Sequence, residues 1–387
     1  MKKTFAMILI ALCMTSLLFA CAPAGRETVY CLTKVETVMS DGGVEKVVQI
    51  QYDRDGRLLS YQEEAKGQSQ LRFQRSYDKQ GGYTEKHPET GIVTSYSPEG
   101  WLLSEVGYVD TETMTGKEWF SNHYTYDENG DLTTKTRNSG DTVQVTKYRR
   151  EYAAPGKLAW EEMYSGDELY LRTTHTYDGQ GNLLNARLSF TEGSVQEDSY
   201  TYDAAGNMLT EHHYSLSSGI TTNTGVDYVY DDRGNLLEEH HYTDDHNIHS
   251  SSFYTYDDQG NRLTWAQEGN GNKITMEWSY DQNGNVLTFF QDHNGTWERM
   301  VYTYDAAGRC LKAVTTSSRF SGDAAVEETY TYDENGNLIC HARTDTHGNV
   351  AETRYTYQAY RAAGEQLQTI LAHQDTVWEA LSAIRIS

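Results

Sequence analysis

The stretch "YTYDENGNLI", Tyr330 to Ile339, decides how this chain is read. Versions of it stand at "YTYDDQGNRL" (Tyr254 to Leu263), "YTYDAAGNML" (Tyr200 to Leu209), "YVYDDRGNLL" (Tyr228 to Leu237) and "YTYDENGDLT" (Tyr124 to Thr133). Let the Tyr before Asp be position 0. Asp at position 1 can accept amide hydrogens from the residues after it, and positions 2 and 3 suit a type I turn. Gly at position 4 supplies the positive φ of a bulge that closes a three-residue loop between two strands. The pattern predicts a hairpin in which Tyr 0 faces the Leu, Met or Val at position 6, a cross-strand pair contributing about 0.2–1 kcal/mol. Position −2 is again aromatic in Tyr200, Tyr228, Tyr254, Trp278, Tyr302 and Tyr330, and a spacing of two puts it on the same face as Tyr 0. Position 7 is also apolar in most copies (Leu103, Leu184, Leu287, Leu311), so periodicity alone leaves open which face is buried.

Position 0 recurs thirteen times between Tyr52 and Tyr357, at intervals of 19 to 30 residues. Periods near 25 residues are typical of stacked supersecondary units. Two strands per copy make about 26 strands, and open sheets beyond roughly ten strands curl because strand twist accumulates. The expected fold is all-β, with tandem hairpins forming a coiled, curved or shell-like sheet over residues 31–357. In the tail, Leu367, Ile370, Leu371, Trp378, Leu381 and Ile384 recur every three to four residues, and Thr376 with Glu379 has capping-box spacing. Residues 358–387 are therefore expected to form a short helical cap over the last sheet edge.

The motif resembles the YD repeat of the RHS and teneurin superfamily, with the resemblance running from Tyr52 to about Tyr357. It implies hairpins wound into a spiral β shell. In the large toxin relatives that shell encloses a cargo and ends in a self-cleaving DPxG segment, and this sequence carries no such segment.

At the other end, Lys2 and Lys3 precede an apolar run from Phe5 to Ala20, the pattern of an export signal. Its end, "LLFAC", resembles the lipobox of bacterial lipoproteins, which implies that residues 1–20 are removed. Cys21 is then acylated, and residues 21–30 form a lipidated linker. Acyl chains at roughly 0.8 kcal/mol per buried CH₂ hold a domain on a membrane. The expected location is the cell membrane or outer membrane, on the extracytoplasmic side.

The net charge is −24, which opposes binding to nucleic acid or anionic head groups. Beyond Cys21 there remain Cys31, Cys310 and Cys340, too few for a disulfide scaffold and without CxxC spacing. The repeated "EHHY" at Glu211–Tyr214 and Glu239–Tyr242 stacks His212 on His240 and His213 on His241, but two strands apart is nearly 10 Å, too wide to share one metal. The loop "TDDHNIHSS" could converge Asp244, Asp245, His246 and His249, although a plain polar connection suffices. Hydrolase, nucleotide and EF-hand signatures are missing.

No catalytic residue, cofactor or metal is thus expected. The sequence reads as a membrane-anchored repeat module that binds a glycan or a protein on exposed aromatic rings, Trp265 and Trp297 being the candidate stacking residues. The alternatives are a structural envelope scaffold or spacer, a remnant of a toxin shell, and a carbohydrate-active enzyme.

Overall fold

The computed structural model describes residues 27–362 apart from 244–246 and 270. The signal segment, Cys21, most of the linker and the tail from 363 lie outside the described residues, as do Asp244, Asp245 and His246. Twenty-six strands succeed one another, from β1 (Glu27–Val38) and β2 (Val44–Tyr52) to β25 (Leu338–Thr344) and β26 (Val350–Ala362). Each is antiparallel to the next, and β1 also pairs with β26, from Glu27↔Ala362 to Val38↔Glu352. The sheet therefore has no edge. Beyond these neighbours no two strands make more than marginal contact, so among the described residues nothing packs across the ring.

Followed from ladder to ladder once round, the register drifts by about one residue per strand. A shear near the strand number sets a strand tilt of about 36° and, at about 4.8 Å per strand, a ring roughly 45–50 Å across between backbones.

This closure corrects the expected architecture. The strand number agrees with the sequence, but the chain forms one closed 26-strand antiparallel barrel and not a curved or spiral array of tandem YD hairpins. The RHS and teneurin assignment falls with it. The physical reason is β1, a strand upstream of the first motif that fills the place beside β26 where a spiral would leave a free edge. The helical cap is corrected too. Residues 358–362 continue β26, the edge the cap was meant to cover is already paired, and no helix occurs among the described residues.

With no second layer of described residues over either face, the difference in burial between the faces follows curvature, which crowds side chains on the concave side. Tyr302, Phe289 and Met276, at positions −2, 9 and −4, are 6–8 % exposed, whereas Leu311 and Val301 on the opposite face are 40 % exposed. The Tyr face thus lines the lumen. It carries two apolar clusters, one centred on Leu32, Val48, Ile50, Leu58, Tyr61 and Phe73 beside the β1–β26 seam, the other on Met276, Phe289, Tyr302 and Ala313.

Candidate functional site

All twelve motif turns, ten of them Tyr-Asp, lie at one end of the barrel, because each follows an even-numbered strand. Within a turn, as at Asp257, one carboxylate oxygen accepts from the amides of Gln259 and Asn261 at 2.9 and 2.8 Å, and the other accepts from the Asn261 side chain at 2.9 Å. The Asn261 side chain, more than the backbone amides, holds this carboxyl below its usual range. Gly260 takes φ +85°, which a Cβ would strain.

Between neighbouring hairpins the ladder stops short of this rim. The pair β21 (Val286–His293) and β22 (Thr296–Tyr304) begins at Thr288↔Val301, leaving Val286 without a backbone partner on that side. Tyr304 spans the gap, its hydroxyl donating to the Val286 carbonyl at 2.7 Å. The same bridge from position 0 to the preceding position 6 joins Tyr77 to Leu58, Tyr126 to Leu102, Tyr177 to Leu158, Tyr202 to Leu183, Tyr332 to Cys310 and Tyr357 to Leu338. Each phenol satisfies a carbonyl that the staggered strands would otherwise leave to water.

Below this tier the position −2 rings meet carboxylates at position 9 of the preceding hairpin. Tyr228 donates to Glu211 at 3.3 Å and Tyr254 to Glu239 at 2.5 Å. Burial first, and then the neighbouring Glu, pushes the pKa of both phenols up to about 12, so they remain donors. Elsewhere on the same wall Glu161 pairs with Arg150, Asp198 with His213 at 2.5 Å, and Glu328 accepts from Tyr330 at 2.9 Å. Burial works against the Glu328 carboxylate, yet His341, 3.7 Å away, and the Tyr330 hydroxyl outweigh it and hold the group below its ordinary pKa. The lumen wall near the rim is therefore aromatic and acidic.

The two candidate stacking residues do not meet. Trp265, at position 9, packs inside the barrel against the Met276 and Phe289 cluster. Trp297 stands on the convex face, 37 % exposed, its ring stacked on Phe290 at 6.4 Å in a shallow groove with Glu277, Thr288 and Arg299. The repeated His pairs divide as alternation requires: His240 bonds Ser251 and Glu238 outside, while His213 meets Asp198 inside. Among the described residues no group of three or more His, Cys, Asp or Glu is arranged to hold a metal, and no disulfide joins Cys31, Cys310 and Cys340. Sequence reasoning missed the phenol bridges. Their only signal was the constancy of Tyr where any aromatic would have served a cross-strand pair.

A family model for a MORN repeat variant matches residues 89–110, too short a stretch to place the chain in that family. No curated protein matches. Among solved structures, TcdB2-TccC3 without its hypervariable C-terminal region is 17 % identical with TM-score 0.38, covering 84 % of this chain and 19 % of its own. Complete TcdB2-TccC3 is 13 % identical with TM-score 0.28, covering 86 % and 25 %. A porin-like protein from Bacteroides uniformis is 11 % identical with TM-score 0.24, covering 84 % and 96 %. The chain spans about a fifth to a quarter of the two TcdB2-TccC3 chains, and with TM-scores this low the fold rests on the strand pairing itself.

That pairing also corrects the functional reading. A repeat sheet presenting one face to a ligand and a remnant of a spiral shell both presumed an open or spiral array, and the closed ring replaces it. A large closed barrel is compatible with a membrane-associated protein.

Proposed function

We propose that the protein is a hollow vessel without catalytic chemistry of its own, receiving part of another molecule through its turn rim into the lumen. One observation carries this reading: β1 pairs with β26 and, among the described residues, no strand packs across the ring. Side chains take up roughly 5 Å on the concave side of such a wall, leaving an opening of roughly 35 Å if the ring is circular. Several titratable groups on the wall pair with one another, as Arg150 does with Glu161 and His213 with Asp198, a pattern of structural pairing that supports a non-catalytic wall.

Membrane attachment is assigned to acylated Cys21 rather than to the wall. A spanning barrel needs an outward apolar band about 25 Å tall. Here the convex face alternates Leu and Thr with ion pairs such as Arg187–Glu197 and Lys312–Glu327. With a wall that polar, the lipid is what supports an extracytoplasmic, membrane-held barrel, and Cys21→Ser is expected to release the protein from the membrane fraction.

Small-angle scattering of the full chain in detergent-matched buffer tests the vessel. A pair-distance distribution with the depleted centre of a hollow cylinder is expected, and one fitted by a filled ellipsoid of the same mass refutes it.

A further inference from the structure

The turn rim holds a pattern that neither closure nor turn formation requires. In three hairpins position 5 is basic, and there its side chain reaches over the position 0 ring of the next hairpin. Arg57 lies 4.4 Å from the Tyr77 centroid, Lys157 5.2 Å from Tyr177 and Arg309 4.9 Å from Tyr332. In a fourth, Trp101 lies 5.4 Å from the Tyr126 ring. Where position 5 is Asn, the side chain folds back onto its own turn: Asn182, Asn207, Asn235, Asn261, Asn285 and Asn337 donate to Asp178, Asp203, Asp231, Asp257, Asp281 and Asp333 at 2.8–2.9 Å. The rings that follow the first four of these, Tyr202, Tyr230, Tyr256 and Tyr280, carry no cation over them among the described residues.

These four rings end consecutive even strands, β14 (Val195–Tyr202), β16 (Ile220–Tyr230), β18 (Asn247–Tyr256) and β20 (Asn272–Tyr280). They form one uninterrupted arc, each ring between two turn carboxylates held ionised by their Asn partners. The nearby basic side chains are engaged elsewhere, Arg233 with the Asp258 carbonyl and Arg262 over Trp278.

The structure assigns this arc to a basic, extended polypeptide that places a Lys or Arg over each open ring. The chain's own Arg57, Lys157 and Arg309 show the geometry that such a cation would take. Spacing narrows the partner further. Neighbouring rings stand two strands apart, about 9.6 Å, and a polyproline II segment turns once per three residues, about 9.3 Å. Basic residues at every third position therefore stay in step with the arc, whereas a β-strand ligand, presenting one face about every 6.8 Å, falls out of step after one ring. A partner segment of about twelve residues covers all four rings at that rise. Cation–π attraction and the acidic rim act together on such a segment. The inference uses the rim alone, so it stands or falls separately from the occupancy of the lumen.

Fluorescence anisotropy of the full chain with labelled (Pro-Pro-Arg)4 tests it, against (Pro-Arg)6, (Pro-Pro-Glu)4 and a chito-oligosaccharide. (Pro-Pro-Arg)4 is expected to bind most tightly although (Pro-Arg)6 carries more charge. The triple variant Asn182→Arg, Asn207→Arg, Asn235→Arg supplies internal cations on the pattern of Arg57 and is expected to weaken binding by about tenfold or more, with its melting temperature unchanged. The charge-matched control Thr201→Arg, Val229→Arg, Thr255→Arg, on the convex face, is expected to stay within about threefold of the parent, the screened long-range effect of the same charge. Tighter binding of (Pro-Arg)6, equal loss in both triple variants, or capture of the oligosaccharide in place of the peptide overturns the assignment.

Discussion

Closure of the ring predicts a cross-link that no open sheet could form. Thr37 on β1 and Thr353 on β26 are direct partners across the seam. Opposed residues of an antiparallel pair hold their Cβ atoms about 4.5–5.5 Å apart, close to disulfide distance. In the double variant Thr37→Cys, Thr353→Cys, mild oxidation is expected to give an intramolecular disulfide that encloses nearly the whole barrel. For a loop of about 320 residues the chain-entropy relation sets an upper limit of about 5–6 kcal/mol of stabilisation, and native-state strain brings typical gains down to about 2–4 kcal/mol. Peptide mass mapping identifies the bond against the native thiols, and urea unfolding with and without reductant reads its effect. Thr37→Cys paired with Thr201→Cys, on strands far apart round the ring, is the control expected to stay reduced. If the seam pair yields only intermolecular disulfides, or a bond with no shift of the urea midpoint, then β1 does not close the sheet and the hollow reading fails.

Three further outcomes follow from the rim. Gly336→Val should destabilise by about 1–2 kcal/mol, since its φ of +86° belongs to the left-handed region, whereas Asp232→Ala, mid-turn, should change the melting temperature little. Tyr202→Phe removes the bridge to the Leu183 carbonyl and should cost about 0.5–1.5 kcal/mol, seen as faster amide exchange beside that seam; exchange equal to the parent would show the bridge to be idle. The turn carboxyls, held low chiefly by their Asn partners as at Asp257 and Asp281, contribute stability that is complete above the unfolded value of about 3.9 and lost as pH falls through their lower folded values. Melting temperature should therefore be flat from pH 7 to 5 and drop below about pH 4, with a shallower acid drop from a lower starting point in Asp257→Asn, Asp281→Asn.

What the residues disclosed was local. Asp at position 1 and Gly at position 4 specify a turn through their own backbone and side-chain chemistry, so the Tyr 0 to position 6 pairing could be read without knowing anything distant. Closure could not, because it depends on register accumulated over 26 ladders and on β1, a strand that carries no motif. The assignment of faces was equally hidden: Leu311 and Tyr302 are both apolar to the eye, and only curvature decides that one is in water and the other is not. The tail's helical periodicity suits a cover for an unpaired edge, and the ring possesses no such edge. At the site, Trp265 and Trp297 stood out by type, yet strand alternation had already placed them on opposite sides of the wall. The open tyrosine arc was present in the sequence as a run of Asn at position 5, a residue easily taken for turn chemistry alone.

The antiparallel join of β1 to β26 also governs how such a molecule can change over evolutionary time. An antiparallel circuit closes only on an even count, so loss or gain of a single strand would bring the two ends together in the same direction and leave the seam unmatched. Duplication and deletion are viable only in paired steps, each about one motif period of sequence, and each step alters the circumference by about 10 Å and the diameter by roughly 3–4 Å. The bore is in effect quantised, and lineages that carry this wall would differ in calibre by fixed increments while every turn, phenol bridge and ladder stays the same.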